Sequence, residues 1–123
     1  MRKHKQLAIR AYVDDVFYTG EEVRKWLVDL VGAIDMKIMA GPYLVYAEEE
    51  INQGWTGVVI IEFSSAQIHI WERENLIEVD VFSCKDFDNE VIFEHVKRMG
   101  PTKIWYQETD REKDMKEYEI QLR

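Results

Sequence analysis

The sequence predicts an α+β two-layer sandwich, a mainly antiparallel sheet with two helices packed on one face. Three observations predict it. Segments with strand patterning outnumber those with helical patterning. Most links between strands are too short to hold a crossover helix, which favours antiparallel neighbours. Only two segments place apolar residues at helical spacing, and each can lie against the sheet through one face.

In chain order, Gln6 to Val13 sets Leu7, Ile9, Ala11 and Val13 at alternate positions, a half-buried strand ended by Asp14-Asp15. Thr19-Gly20-Glu21-Glu22 reads as a capping box. Val23, Trp26, Leu27, Leu30, Val31 and Ile34 then make an apolar stripe, so a helix is expected over about Glu21 to Asp35. Its place on that stripe makes Trp26 a core residue rather than a ligand platform. Lys37 to Ala47 reads as a strand interrupted or entered through Gly41-Pro42. Glu48-Glu49-Glu50 could face a polyamine or another cation, but such charge runs are ordinarily solvated loops. A second helix follows Asp88, a good N-cap, and stops at Gly100-Pro101. Lys103 to Gln107 is a further strand. Asp110 to Lys116 is a charged turn, and the alternation of Tyr118, Ile120 and Leu122 suggests an edge strand or a partner contact.

A length of 123 residues suggests a single domain over 1–123, and 46% apolar residues suffice for a core. No apolar run approaches the roughly 18 residues of a membrane span, and no apolar signal core follows the basic Met1-Arg2-Lys3-His4-Lys5. The net charge of −8 argues against nucleic-acid binding, which needs a basic face. A single cysteine excludes an internal disulfide and suits a reducing cytoplasm. No metal-ligand spacing supports Asp86 and Asp88 as a metal site.

The centre of the chain runs from Gly54 to Cys84 and reads as three strands. Val58 to Ile61 is an unbroken apolar run; Ile68 and Ile70 alternate with His69 and Trp71; Ile77, Val79 and Val81 alternate with Glu78 and Asp80. Turn residues place the reversals at Ser65-Ala66 and Glu74-Asn75. In that register Ser64, His69 and Cys84 cluster at one end of the meander, bringing a hydroxyl, an imidazole and a thiol within reach of one another. Singly, each has a plain reading: a small buried hydrophobe, a hydrogen-bonded strand histidine, and turn serines.

The same residues resemble the small prokaryotic S-adenosylmethionine decarboxylases. That family reads roughly G-V-S-G, an apolar run, E-S-H, two residues, I-H-T-W-P-E, then D-[VL]-F-T-C. The counterparts are Gly54-Trp55-Thr56-Gly57, Phe63-Ser64-Ser65, Ile68-His69-Ile70-Trp71-Glu72-Arg73 and Asp80-Val81-Phe82-Ser83-Cys84, with no gap. The resemblance implies a self-processing pyruvoyl enzyme that supplies spermidine synthesis. Ser64 would attack the carbonyl of Phe63, the chain would break by an ester and β-elimination, and Ser64 would become the pyruvoyl group. That carbonyl would form a Schiff base with the substrate amine. His69 would assist the elimination with Thr56, which stands in place of a processing serine, and Cys84 would return a proton to the decarboxylated carbon. Trp71 could stack on adenine. The family's ribose-binding glutamate is Arg73 here; guanidinium only donates hydrogen bonds, so the acceptor would be Glu72 or Glu74. The resemblance also implies a homodimer with active sites between subunits, and no metal.

Phe63, Ser65, Ile70 and Glu72-Arg73 depart from the family pattern. They keep two other readings beside S-adenosylmethionine decarboxylation. One is the same chemistry on another amino acid, such as arginine or ornithine. The other is an unprocessed member that binds a ligand or partner without catalysis.

Overall fold

The computed structural model describes residues 4–16 and 19–122. The basic Met1-Arg2-Lys3 lies outside the described residues. The elements are β1 (Lys5–Tyr12), α1 (Gly20–Ala33), β2 (Ile38–Ala47), β3 (Gly54–Ile61), β4 (Ser64–Trp71), a 3-10 turn (Glu72–Glu74), β5 (Leu76–Ser83), α2 (Asn89–Lys97) and β6 (Ile104–Asp110). The strands form one sheet in the order β2-β3-β4-β5-β1-β6, with each paired neighbour antiparallel. The α+β sandwich with both helices on one face is the observed architecture.

Alternation decides which face is covered. Leu7, Ile9 and Ala11 of β1, Val59 and Ile61 of β3, Ala66, Ile68 and Ile70 of β4, and Ile77, Val79 and Val81 of β5 are buried in one cluster. Against them α1 packs Val23, Trp26, Leu27, Leu30 and Val31, and α2 packs Ile92, His95 and Val96. Each such aliphatic side chain contributes about 1.5–3 kcal/mol on burial. Both caps form as the sequence predicts. The Thr19 hydroxyl accepts from the Glu22 amide at 3.2 Å and donates to the Glu22 carboxylate at 2.9 Å. The Asp88 carboxylate accepts from the Glu90 amide at 2.9 Å. The other face of the sheet carries Arg10, Thr56, Ile60, His69, Glu78 and Asp80, with no element of the described chain over it.

Three features differ from the sequence reading. The first reversal of the meander lies at Glu62-Phe63, because Ile61 pairs with Ser64. The serines are strand residues, and Phe63 takes a left-handed φ of 58° that nothing in its side chain advertises. The second reversal uses the turn Glu72–Glu74 with Asn75 at φ 51°, a residue type that tolerates that conformation. Tyr118, Ile120 and Leu122 form no strand and stand exposed. Among the described residues no helix is long and apolar enough to cross a membrane.

The α1–α2 contact holds a titratable group. His95 is buried, its ring 4.8 Å from that of Trp26, and Nε2 lies 3.0 Å from the Trp26 carbonyl, to which it donates. Burial pushes its pKa below the ordinary 6.5, against the Trp26 hydrogen bond; Arg98 and Lys25 lower it further and Asp29 raises it. A depressed folded value means that the neutral ring stabilises the fold above pH 6.5, and that this share is lost as pH falls through the folded value. His95→Gln keeps an amide donor for the carbonyl and removes the titration. Melting scans between about pH 7 and pH 5 should show a smaller loss of melting temperature in this variant than in the wild type.

Candidate active site

The Glu62-Phe63 reversal puts Ser64 at the first position of β4, on the helix-covered face, directly after a residue in a left-handed conformation. Ser64 pairs with Ser83 across β4 and β5. Their hydroxyls share a hydrogen bond of 2.7 Å, and the Ser64 hydroxyl also reaches the Glu62 carbonyl at 3.1 Å. Ser83 is fully buried and accepts from the Lys85 amide at 2.8 Å. The Ser64 hydroxyl is therefore held from two sides. Phe63 stands 70% exposed at the mouth of a cavity of about 840 Å³. Cys84, half-buried, lines the same cavity with Met36, Glu62 and Asp86.

Thr56 and His69 form a second centre. They are cross-strand partners on the uncovered face, with Thr56 Oγ1 and His69 Nδ1 3.1 Å apart. The direction of this bond sets the tautomer: donation by Nδ1–H to the threonine oxygen leaves Nε2 an unprotonated acceptor, whereas donation by the hydroxyl puts the ring proton on Nε2. Trp71 lies next along the same face, its ring 6.1 Å from that of His69. The Trp71 indole donates to Asn52 at 3.2 Å. Glu72 accepts from the Tyr46 hydroxyl at 2.7 Å, and this bond raises the Tyr46 pKa. Arg73 turns away and donates to the Glu50 carbonyl at 3.1 Å. The Glu48-Glu49-Glu50 run is exposed, and Glu49 accepts from Asn52 at 2.9 Å. Among the described residues no group of three or more His, Cys, Asp or Glu is arranged to hold a metal ion.

One expected grouping is thus divided in two. Ser64 and Cys84 lie at one end of the meander, joined through Ser83, the cross-strand partner of Ser64 and chain neighbour of Cys84, but His69 does not join them. Five residues along a strand span about 17 Å, and the two side chains leave opposite faces of β4. Thr56 joins His69 and Trp71 extends that second centre, whereas Glu72 is held by Tyr46, the cross-strand partner of Trp55. Ser83 went unnoticed in the sequence. The available signal was the alternation of Ile77, Val79 and Val81, which ends on Ser83; once the turn is placed at Glu72–Glu74, that position faces Ser64.

The glycines of Gly54-Trp55-Thr56-Gly57 answer to packing. A Cβ on Gly54 would lie 1.8 Å from the Ile70 carbonyl oxygen, at φ 153°. A Cβ on Gly57 would meet Leu27 at 2.8 Å and Leu44 at 2.9 Å, so α1 sits directly on that backbone. Both glycines fix how Thr56 is presented to His69.

The sequence profile of the S-adenosylmethionine decarboxylase family matches residues 9–112. The chain is 33% identical over 84 residues to the S-adenosylmethionine decarboxylase proenzyme of Clostridium botulinum strain Langeland, covering 68% of this chain and 69% of that protein. The proenzyme of strain Hall is similar at the same identity and coverage. In fold, the chain is similar to the crystal structure of the adenosylmethionine decarboxylase from Aquifex aeolicus, with a TM-score of 0.72, 22% sequence identity and 98% of both chains covered.

Gly54→Ala should abolish or strongly impair folding, since its clash is with backbone that cannot move aside without breaking the β3–β4 ladder. Gly57→Ala meets only side-chain methyls and should cost about 1–3 kcal/mol. Urea denaturation of the two variants beside wild type checks the order; equal stabilities would contradict it.

Proposed function

The chain belongs to the S-adenosylmethionine decarboxylase family, whose members are carboxy-lyases, and we propose that it is a self-cleaving decarboxylase of S-adenosylmethionine that breaks its backbone between Phe63 and Ser64. The observation that carries this reading is the setting of Ser64: a hydroxyl oriented by Ser83 and the Glu62 carbonyl, directly after a residue at φ 58°. The Ser64 hydroxyl adds to the Phe63 carbonyl carbon and the C–N bond breaks, leaving an ester and a free amine. Loss of the Ser64 Cα proton then expels the Phe63 carboxylate, and hydrolysis of the residual enamine releases ammonia and leaves a pyruvoyl group. Ser64, the only residue this conversion consumes, fits the role of precursor. The pyruvoyl carbonyl, when formed, supplies an electron sink for the bond that loses carbon dioxide.

The other residues take their roles from their positions. Cys84, on the cavity wall and next in the chain to Ser83, the cross-strand partner of Ser64, is the proton donor to the carbon that has lost carbon dioxide. His69, donating from Nδ1 to the Thr56 oxygen and so unprotonated at Nε2, is the base for the Ser64 Cα proton. It is about 17 Å from Ser64 of its own chain and on the other face, so this reading requires the Thr56–His69 pair of a second copy. Trp71 lies at the same centre and would stack on the substrate's adenine from that copy, and Glu72, next in the chain and bonded to Tyr46, would replace the acceptor that Arg73 cannot provide. Two further features support a homodimer: the uncovered sheet face with exposed Tyr43, Val45 and Ile60, and the exposed apolar residues Tyr118, Ile120 and Leu122. The reading places a single domain of 123 residues in the cytoplasm, feeding aminopropyl donors to polyamine synthesis, with a second copy and a small-molecule substrate as its partners.

Intact mass tests the cleavage. Processing leaves fragments of 63 and 60 residues, the second blocked at its N-terminus. A single unbroken mass after prolonged incubation would sink the reading. Ser64→Ala should abolish cleavage and carbon dioxide release together. Cys84→Ala should cleave normally and lose about 10²–10⁴-fold in carbon dioxide release from carboxyl-labelled S-adenosylmethionine. Unchanged release with a lowered melting temperature would return Cys84 to the core, and release from arginine or ornithine alone would replace the substrate.

A further inference from the structure

Lys5 is a buried cation that the cleavage and decarboxylation steps leave unused. It is 8% exposed, on the helix-covered face of β1, directly opposite Ser83. An ammonium group has three N–H donors. Here they meet three acceptors from one short segment: the Phe87 carbonyl, Asn89 Oδ1 at 2.9 Å and Asp86 Oδ1 at 3.5 Å. The same nitrogen lies 3.9 Å from the centre of the Phe87 ring. The segment thus gripped begins two residues after Cys84, and its other end runs into α2. The near end is tied by the Lys85 amide to Ser83, and Ser83 to Ser64. Asp86 and Cys84 line one cavity wall.

We propose that Lys5 is a positioning residue for Cys84: its ammonium fastens the 86–89 segment to the sheet and so holds the thiol in register with Ser64. The proposal rests on the reading of Cys84 as the proton donor for its catalytic consequence, but not for the fastening itself. A buried ammonium held by two hydrogen bonds and an ion pair is costly to replace and gives directional restraint that an apolar contact would not.

The single cysteine makes the test direct. In processed wild type, Lys5→Met and Asn89→Ala, the measurements are the alkylation rate of Cys84 by iodoacetamide at fixed pH well below melting, hydrogen exchange of the Lys85 amide, and kcat and KM for carbon dioxide release. Lys5→Met should speed both alkylation and exchange about tenfold or more. It should lower kcat with KM within about twofold, since the substrate-binding side chains are elsewhere. Asn89→Ala, which removes one of three acceptors, should move all three in the same direction by less, and serves where Lys5→Met fails to fold. Wild-type alkylation and exchange in the variants, even with reduced melting temperature, would overturn the proposal. Accelerated alkylation and exchange in a chain that never cleaves would uphold the fastening and overturn only the catalytic reading.

Discussion

The reversal at Glu62-Phe63 sets the register on which the rest of this molecule depends. With Ile61 paired to Ser64, the cross-strand row at that end of the sheet becomes Ser64, Ser83, Lys5 and Asp110, read across β4, β5, β1 and β6. A slip of one residue would turn Ser64 to the open face and separate it from Ser83. The conformation that fixes this register is unfavourable: a left-handed backbone at a residue other than glycine costs about 1–2 kcal/mol. Burial of alternate residues in three adjacent strands more than offsets it, because every one of them would have to change faces for Phe63 to relax.

That register also explains why the chemistry is divided within one chain. A strand presents neighbours to opposite faces and separates positions by about 3.3 Å. Ser64 and His69 therefore cannot meet on a straight β4, however the turns are drawn. The covered face holds Ser64, the residue the proposed cleavage would consume, bonded to Ser83 and the Glu62 carbonyl. The open face holds the imidazole, bonded through Nδ1 to Thr56. The proposed reaction therefore needs the Thr56–His69 pair of a second copy brought to the Ser64 end of the sheet; a contact through the open faces alone would cover Tyr43, Val45 and Ile60 but leave Ser64 on the far side.

Much of this was legible before any coordinates. The two helices carried both period and caps, and tertiary packing had only to agree with them. The strands were legible as alternation. The turns were not. Ser64-Ser65 resembles turn material, but Ser64 has a buried hydrogen-bonding partner and so extends the strand; the actual turn contains glutamate and phenylalanine, with no residue that prefers a positive φ. Displacing the first turn moved His69 from opposite Glu62 to opposite Thr56, while leaving its face unchanged, since the shift is by an even number of positions. Thus the pairing of Thr56 with His69 was hidden, although both residues had been singled out. The tail failed for another reason. Tyr118, Ile120 and Leu122 alternate like a strand, but alternation stabilises a strand only where a neighbour supplies hydrogen bonds and a surface to cover.

Phe63 gives the departure from the family pattern a physical meaning. It contributes no carboxylate, but acidic groups are not lacking there, because Glu62 and Asp86 line the same cavity. What Phe63 contributes is conformational. Its ring is mostly exposed, so little packing holds it, whereas its backbone is held at φ 58° by the hairpin. Cutting the bond after Phe63 removes the closure that imposes this angle. The strain of about 1–2 kcal/mol is then released, a factor of roughly ten in favour of the opened chain. The same change disconnects β3 from β4 while leaving the rest of their ladder, from Ile60↔Ser65 to Thr56↔His69, intact. In the proposed reaction, then, the hairpin that defines the register also favours its own opening, while the sheet it has already set in place holds the two new ends together.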